Sequence, residues 1–350
     1  MEQRSHSNVV SRPAVEKDRR NWNAFLASQP EASPLALFEW RDVLAATYGP
    51  RQRYWIAESE GRVVGILPTY VTKSGRRPSL YSLRQGLCAV DDVVAQSLLG
   101  AAAEEARRLG CRAALVTSGM KVHNVGYATE RRLTMILDVS AGEKSLWDGF
   151  RQKTRTAIRK GIKGGLVAHW SLDQVAEFHA LYANTMASKN VPTLDRHFFD
   201  ALIRGLAPNL RIFVVRKDRE PVGAGALMIL GDFATYAYQG TSPHHLGLAP
   251  SSFMFWSVAQ RCVEEGVRLL DLGESRAGSP VFTFKANFGG VPRELGYYDL
   301  LHKPESETRS ADGSTSSESK FRLRERLLQA LPLFAKRWAA DLARSRGRIV

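Results

Sequence analysis

A lysine directly after a phenylalanine, Phe284-Lys285, stands near the end of a stretch from Tyr236 to Leu301 that mixes apolar runs with polar and charged side chains. A compact cation in a partly apolar cleft can hold a phosphate or stabilise the oxyanion of a tetrahedral intermediate. A second cationic feature lies upstream, where Arg151 to Lys163 (RQKTRTAIRKGIK) has six basic residues and no acidic one. Arg151, Arg155, Arg159 and Lys163 recur every four residues, which predicts one stripe of a helix, with Phe150, Ile158 and Ile162 as an apolar stripe beside it. Like charges at that spacing repel, so an unoccupied stripe is a liability that a phosphate ligand relieves. Motifs for other chemistries are missing: there is no G-x-S-x-G elbow, no GxxxxGK[ST] phosphate loop and no metal-spaced histidine cluster. Cys88, Cys111 and Cys262 show no paired spacing, so neither a disulfide framework nor a zinc site is indicated.

The elements that must position these groups are outlined twice. Trp55 to Val71 and Phe213 to Ile229 each read as a strand, a charged turn and a second strand entered through Val64-Gly65 or Val222-Gly223. Downstream, Ala95 to Gly110 and Ser251 to Gly266 are helical by apolar spacing, and each ends in a glycine followed by an apolar strand. The pattern predicts an α/β (α+β) chain of two similar halves joined near Ser140 to Gly165. Its 350 residues are 44% hydrophobic, enough for two medium cores and too many for a disordered chain. Beyond Leu301 a Ser- and charge-rich stretch, 303–320, reads as a flexible linker. Residues 321–350 then form a basic amphipathic tail with Leu323, Leu327, Leu328, Leu331, Phe334 and Trp338, suited to an anionic membrane face. Of the net charge of +14, half sits between Lys320 and Val350. A polar N-terminus and the lack of any long apolar run predict a cytoplasmic protein, at most peripheral to the inner membrane.

The ordered run Ser252-Phe253-Met254-Phe255-Trp256, Gly266, Leu270-Asp271-Leu272-Gly273, Ser275, Phe284-Lys285, Phe288-Gly289, Pro292 and Tyr297 resembles the second acetyltransferase domain of the FemAB family. The likeness is nearest to the exosortase- and exopolysaccharide-associated branch. Upstream, Trp147, Phe150, Arg155, Ile158-Arg159-Lys160 and Gly164 resemble that family's interdomain signature, so the likeness spans about Leu35 to Leu301. It implies two tandem GNAT-like domains with mixed sheets flanked by helices: 31–145, then 146–302 with a basic interdomain helix at 146–164, after an N-terminal segment 1–30.

The same resemblance implies an N-acyltransferase that moves an acyl or aminoacyl group onto an amine of a cell-envelope or exopolysaccharide precursor. No tightly bound cofactor or metal is implied, and the donor is either acyl-CoA or aminoacyl-tRNA. Aminolysis of an activated ester needs positioning, an oxyanion site and an exit for the amine's proton, but no protein nucleophile. Lys285 matches the family's lysine, and Glu274 is the leading base, ahead of Asp271, His244 and His245. Glu274 stands where the resembled branch usually has a basic residue. Phe284, Arg155, Arg159, Tyr238, Gln239, Ser275 and Asn287 are the expected substrate-binding positions. Gly247 and Ala249 belong to the loop that in acetyltransferases meets the CoA pyrophosphate at a helix N-terminus. That loop, His245-Leu246-Gly247-Leu248-Ala249-Pro250, has one glycine and no arginine, a degraded form of the signature. Two other readings follow: a CoA-dependent acetyltransferase of an amino sugar or small metabolite, and a non-catalytic module binding a phosphate-rich ligand.

Overall fold

A computed structural model describes residues 9–74, 77–125 and 132–301. The linker at 303–320 and the basic tail at 321–350 lie outside the described residues. The first half runs β1 (Val10–Pro13), α1 (Arg19–Ser28), α2 (Trp40–Thr47), β2 (Arg51–Ser59), β3 (Arg62–Ser74), β4 (Arg77–Ser82), β5 (Cys88–Ala89), α3 (Asp92–Arg108), β6 (Ala113–Ser118) and β7 (Arg132–Asp138). Two helices, α4 (Gly142–Gly149) and α5 (Gln152–Lys163), lead into the second half. That half runs β8 (Leu166–Trp170), α6 (Val175–Ser188), α7 (Arg196–Leu206), β9 (Leu210–Lys217), β10 (Glu220–Leu230), β11 (Phe233–Thr241), α8 (Pro250–Glu264), β12 (Leu269–Ser275), α9 (Pro280–Ala286) and β13 (Val291–Asp299).

The repeat extends further than the hairpin and helix that betray it in the sequence. Residues 10, 19, 40 and 113 open β1, α1, α2 and β6, and residues 166, 175, 196 and 269 open β8, α6, α7 and β12, each 156 positions later. The hairpins turn through left-handed Glu60-Gly61 and Asp218, and the helices α3 and α8 stop at Gly110 and Gly266, both with positive φ. Between each hairpin and its helix lies a further strand, β4 or β11, and residues 10–28, expected as part of an N-terminal segment, supply β1 and α1 of the first half.

One continuous sheet joins the halves in the order β1-β2-β3-β4-β6-β13-β7-β12-β11-β10-β9-β8, with β5 on β3. Its centre is an exchange: β13 pairs with β6 of the first half, β7 pairs with β12 of the second, and the two exchanged strands pair with each other. Alternation along the strands sends side chains to opposite layers. Tyr54 and Ile56 of β2 and Ile212 and Val214 of β9 enter one core shared with α1, α2, α6 and α7, which unites the halves. Trp55 and Ala57 face α3, and Phe213 and Val215 face α5 and α8.

Because each half's last strand completes the other half's sheet, the halves are expected not to fold separately. Residues 1–145 alone leave β7 without either of its partners and one edge of β6 open, and should aggregate, whereas co-expression with 146–350 should give a soluble one-to-one complex by size-exclusion chromatography. A monomeric, folded 1–145 fragment would contradict the exchange.

Candidate active site

Two strand irregularities open a wedge in the second half. Parallel β11 and β12 pair only over Phe233–Thr235 and Leu269–Asp271, although β11 continues to Thr241 and β12 to Ser275. In β11 the register against β10 shifts between Tyr238 and Tyr236, which makes Ala237 a bulge. In β12 the register against β7 shifts between Asp271 and Glu274, where Gly273 takes φ +86°. Both bulges re-aim side chains beside the wedge. Tyr236 turns to the α8 layer while Tyr238 turns into the core between the halves, packed on Tyr182 and Phe199.

Lys285 reaches the β12 bulge from the last turn of α9. Its side chain is almost completely covered, at 4% exposure, and Nζ donates to Gly273 O at 2.8 Å, Ser275 Oγ at 2.9 Å and Glu274 O at 3.2 Å. All three ammonium N–H groups are thereby engaged. Burial and the positive charge of Arg84 push its pKa down to about 8, against the pull of Asp271 and Glu274. Asp271 is wholly buried: Oδ2 accepts from Arg84 Nη2 at 2.9 Å, while Oδ1 accepts from the Thr134 hydroxyl and from Gly273 N–H at 2.7 Å. Removing one partner of so dry an ion pair costs about 3–5 kcal/mol, because the other charge is left unpaired.

Other expected site residues have been brought here or taken elsewhere. Glu274 is close to Lys285 but is not a free base: its oxygens accept from Arg132 Nη1 at 2.6 Å and the Tyr297 hydroxyl at 2.9 Å. Ser275 is in the cluster. Phe284 packs edge-on against Phe255 and beside Phe288, so it supports α9 rather than facing the wedge. Tyr238 is core, and burial raises its phenol pKa. Gln239 is half-buried on β11 opposite Gly225, and Asn287 caps α9 while its carbonyl accepts from Thr154.

The arginine stripe on α5 is not the unpartnered row that its spacing predicts. Arg155 Nη1 donates to the carbonyls of Phe150, Asp148 and Trp147, closing the C-terminus of α4, and the Arg159 guanidinium lies 5.0 Å over the Trp147 ring. Backbone carbonyls and a π-face partner these two arginines in place of acidic side chains. Ile162, placed in the apolar stripe, is half exposed at 50%. The adjoining face of α5 is open as well. Gln152, Lys153, Thr156, Ala157 and Lys160 line a groove of about 470 Å³ with Ala249, the left-handed residue (φ +53°) that opens α8. Gly247 is exposed just before it, and His245 faces Glu220 at 3.4 Å.

Arg84, Arg132 and Thr134 were not singled out from the sequence. Their partners lie 187, 142 and 137 positions away, and no local pattern marks them. Among the described residues no cluster of three metal-ligating side chains occurs, and no helix is long and apolar enough to cross a membrane.

Residues 148–285 match the family model described as an acetyltransferase (GNAT) domain. No curated protein matches the chain. Among solved structures, FemX is similar over 83% of this chain and 98% of its own, with a TM-score of 0.67 and 16% identity. A tandem GNAT protein from the clavulanic acid biosynthesis pathway covers 85% of this chain and 100% of its own, with a TM-score of 0.53 and 14% identity. L-PGS from Bacillus licheniformis covers 91% and 98%, with a TM-score of 0.54 and 15% identity. The fold is a tandem GNAT-like one shared with these proteins, as the FemAB resemblance implies.

The depressed Lys285 pKa has a stability signature. Between about pH 8 and the ordinary lysine value the unfolded chain holds a proton that the folded chain has lost, so this group's contribution to stability rises with pH across that window. Wild type should therefore gain on a Lys285→Met variant by about 1 kcal/mol per pH unit there, as read by urea unfolding. A constant difference from pH 7 to 10 would show that Lys285 is not held in a dry site.

Proposed function

We propose that the chain is a Fem-like N-acyltransferase whose acyl donor enters the β11–β12 wedge of the second half. The observation that carries this reading is the buried Lys285 ammonium at the β12 bulge, beside a wedge whose two strands have stopped pairing. An acyl carbon placed there meets a fixed positive charge in a poorly solvated setting, where preorganised charge is worth most to a developing oxyanion. Ser275 Oγ accepts from Lys285, which leaves its own O–H to donate to that oxyanion. The reaction is aminolysis: the acceptor nitrogen bonds to the acyl carbon, the bond to the donor's sulfur or oxygen breaks, and the amine proton leaves with the departing group or to water. Lys285 serves as charge stabiliser, and Glu274, tied to Arg132 and Tyr297, shapes the site instead of acting as base.

The α5 groove supports a donor that carries phosphates. Lys153 and Lys160 line it beside the start of α8, where backbone amides and the helix dipole favour anions. The match of residues 148–285 to an acetyltransferase domain favours acyl-CoA, and aminoacyl-tRNA is the other donor. The acceptor is proposed from the FemAB resemblance to be an amine of a cell-envelope or exopolysaccharide precursor; an amino sugar or small amine is the second reading, favoured by the same family match.

Hydroxylamine tests the transfer without knowledge of the acceptor, since it takes an acyl group to give a hydroxamate. With acetyl-CoA or charged tRNA as donor, Lys285→Ala should lower kcat about 100-fold, while Lys153→Ala with Lys160→Ala should raise the donor KM and spare kcat. Wild-type protein that forms no hydroxamate from either donor, yet still binds one of them, would favour a non-catalytic phosphate-binding module.

A further inference from the structure

The first half has the same pair of strands as the wedge, but there the gap is filled. Parallel β4 and β6 pair over Ser79–Tyr81 and Ala113–Leu115. Beyond them Ser82 Oγ accepts from Thr117 N at 2.9 Å, Thr117 Oγ1 donates to Leu83 O at 3.1 Å, and Leu87 bridges back to Ser118. The filling segment is tightly fixed. Gln85 is left-handed at φ +52°, and a Cβ on Gly86 would come within 2.9 Å of the Pro68 ring. This plug carries Arg84, whose guanidinium crosses into the second half, and only 8% of the side chain is exposed.

From Arg84 an unbroken line of short contacts runs to the wedge. Arg84 donates to Asp271 at 2.9 Å, Asp271 accepts from Gly273 N–H at 2.7 Å, and Gly273 O accepts from Lys285 at 2.8 Å. Gly273 is thus gripped by its N–H on one side and its carbonyl on the other, in a conformation that costs a side-chain-bearing residue. A dry ion pair is a poor device for stability alone, since well-packed apolar residues serve as well or better. We propose that Arg84 is a positioning residue for acyl transfer: the first half, its own wedge closed, uses Arg84 to hold Asp271 and so fixes the Gly273 bulge against which Lys285 is placed. The inference rests on the wedge being the acyl-transfer site.

The charged and titratable groups around Lys285 are Asp271 and Glu274 of β12 and Arg84 of the plug, with Arg132 of β7 and Tyr297 of β13 behind Glu274. Arg84→Met removes a repelling cation and frees the Asp271 carboxylate to act on Lys285. Competitive labelling of the full chain with acetic anhydride, read peptide by peptide, reports the Lys285 pKa whether or not the protein turns over. It should rise by about one unit in Arg84→Met and stay near wild type in Arg84→Lys. Hydroxamate formation from acetyl-CoA and hydroxylamine should lose about ten-fold in kcat, with the donor KM within two-fold of wild type and the pH profile displaced upward. If Arg84→Met does not fold, Arg84→Met with Asp271→Asn removes the unpaired charge. That double variant should fold, label at Lys285 with a near-wild-type pKa, and remain slow in kcat.

An unchanged Lys285 pKa and pH profile in a folded Arg84→Met protein would overturn the proposal, as would wild-type turnover by the double variant; Arg84 would then be a tie between halves and no more. Absence of hydroxamate in wild type would instead remove the acyl-transfer reading, leaving the labelling result to show whether Arg84 governs Lys285.

Discussion

Gly273 is held by two opposite charges at once: the Asp271 carboxylate takes its N–H and the Lys285 ammonium takes its carbonyl. The β12 side of the second half's wedge is set by that grip. It fixes the β12 bulge just where pairing with β11 ends, places Ser275 and Glu274 beyond it, and keeps an ammonium buried where water would otherwise solvate it. Buried charges persist only when paired and hydrogen-bonded. Here the pairing is supplied from outside the second half, by Arg84 and by Thr134 of the exchanged strand.

The strand exchange is therefore more than a way of joining two domains. By placing β7 against β12 it brings Arg132 and Thr134 beside Glu274 and Asp271, and by placing β13 next to β7 it brings Tyr297 to the same carboxylate. A single GNAT-like unit with its own last strand would have to provide these partners itself. The duplicated architecture lets one half specialise: in the first, the segment after β4 closes the gap between strands, and in the second the gap stays open.

How much of this was legible in the sequence depended on distance along the chain. The hairpins, the helices ending at Gly110 and Gly266, and the cation beside Phe284 are local patterns, and each is where the spacing put it. The FemAB likeness rests on such local signals in order, and it reached the right architecture. Arg155 and Arg159 show the limit of that method. Four-residue spacing places them on one helix face but says nothing about what packs there, and carbonyls at the end of α4 leave no trace in side-chain identity. Glu274 likewise looked like a base because Arg132, 142 positions earlier, could not be placed beside it. The bulges at Ala237 and Gly273 are backbone events. Only the glycine has a sequence signature, and it is shared with ordinary turns.

The proposed acyl transfer puts the acyl group of the donor in the β11–β12 wedge. A crystal structure with a non-transferable thioether analogue of acetyl-CoA measures this directly. Acyl transfer in the wedge requires one analogue per chain, its phosphates by Lys153 and Lys160, and its carbonyl between β11 and β12 within hydrogen-bond reach of the Ser275 hydroxyl. An analogue bound in the first half, or one whose acyl end lies outside the wedge with the Lys285 cluster untouched, would contradict it.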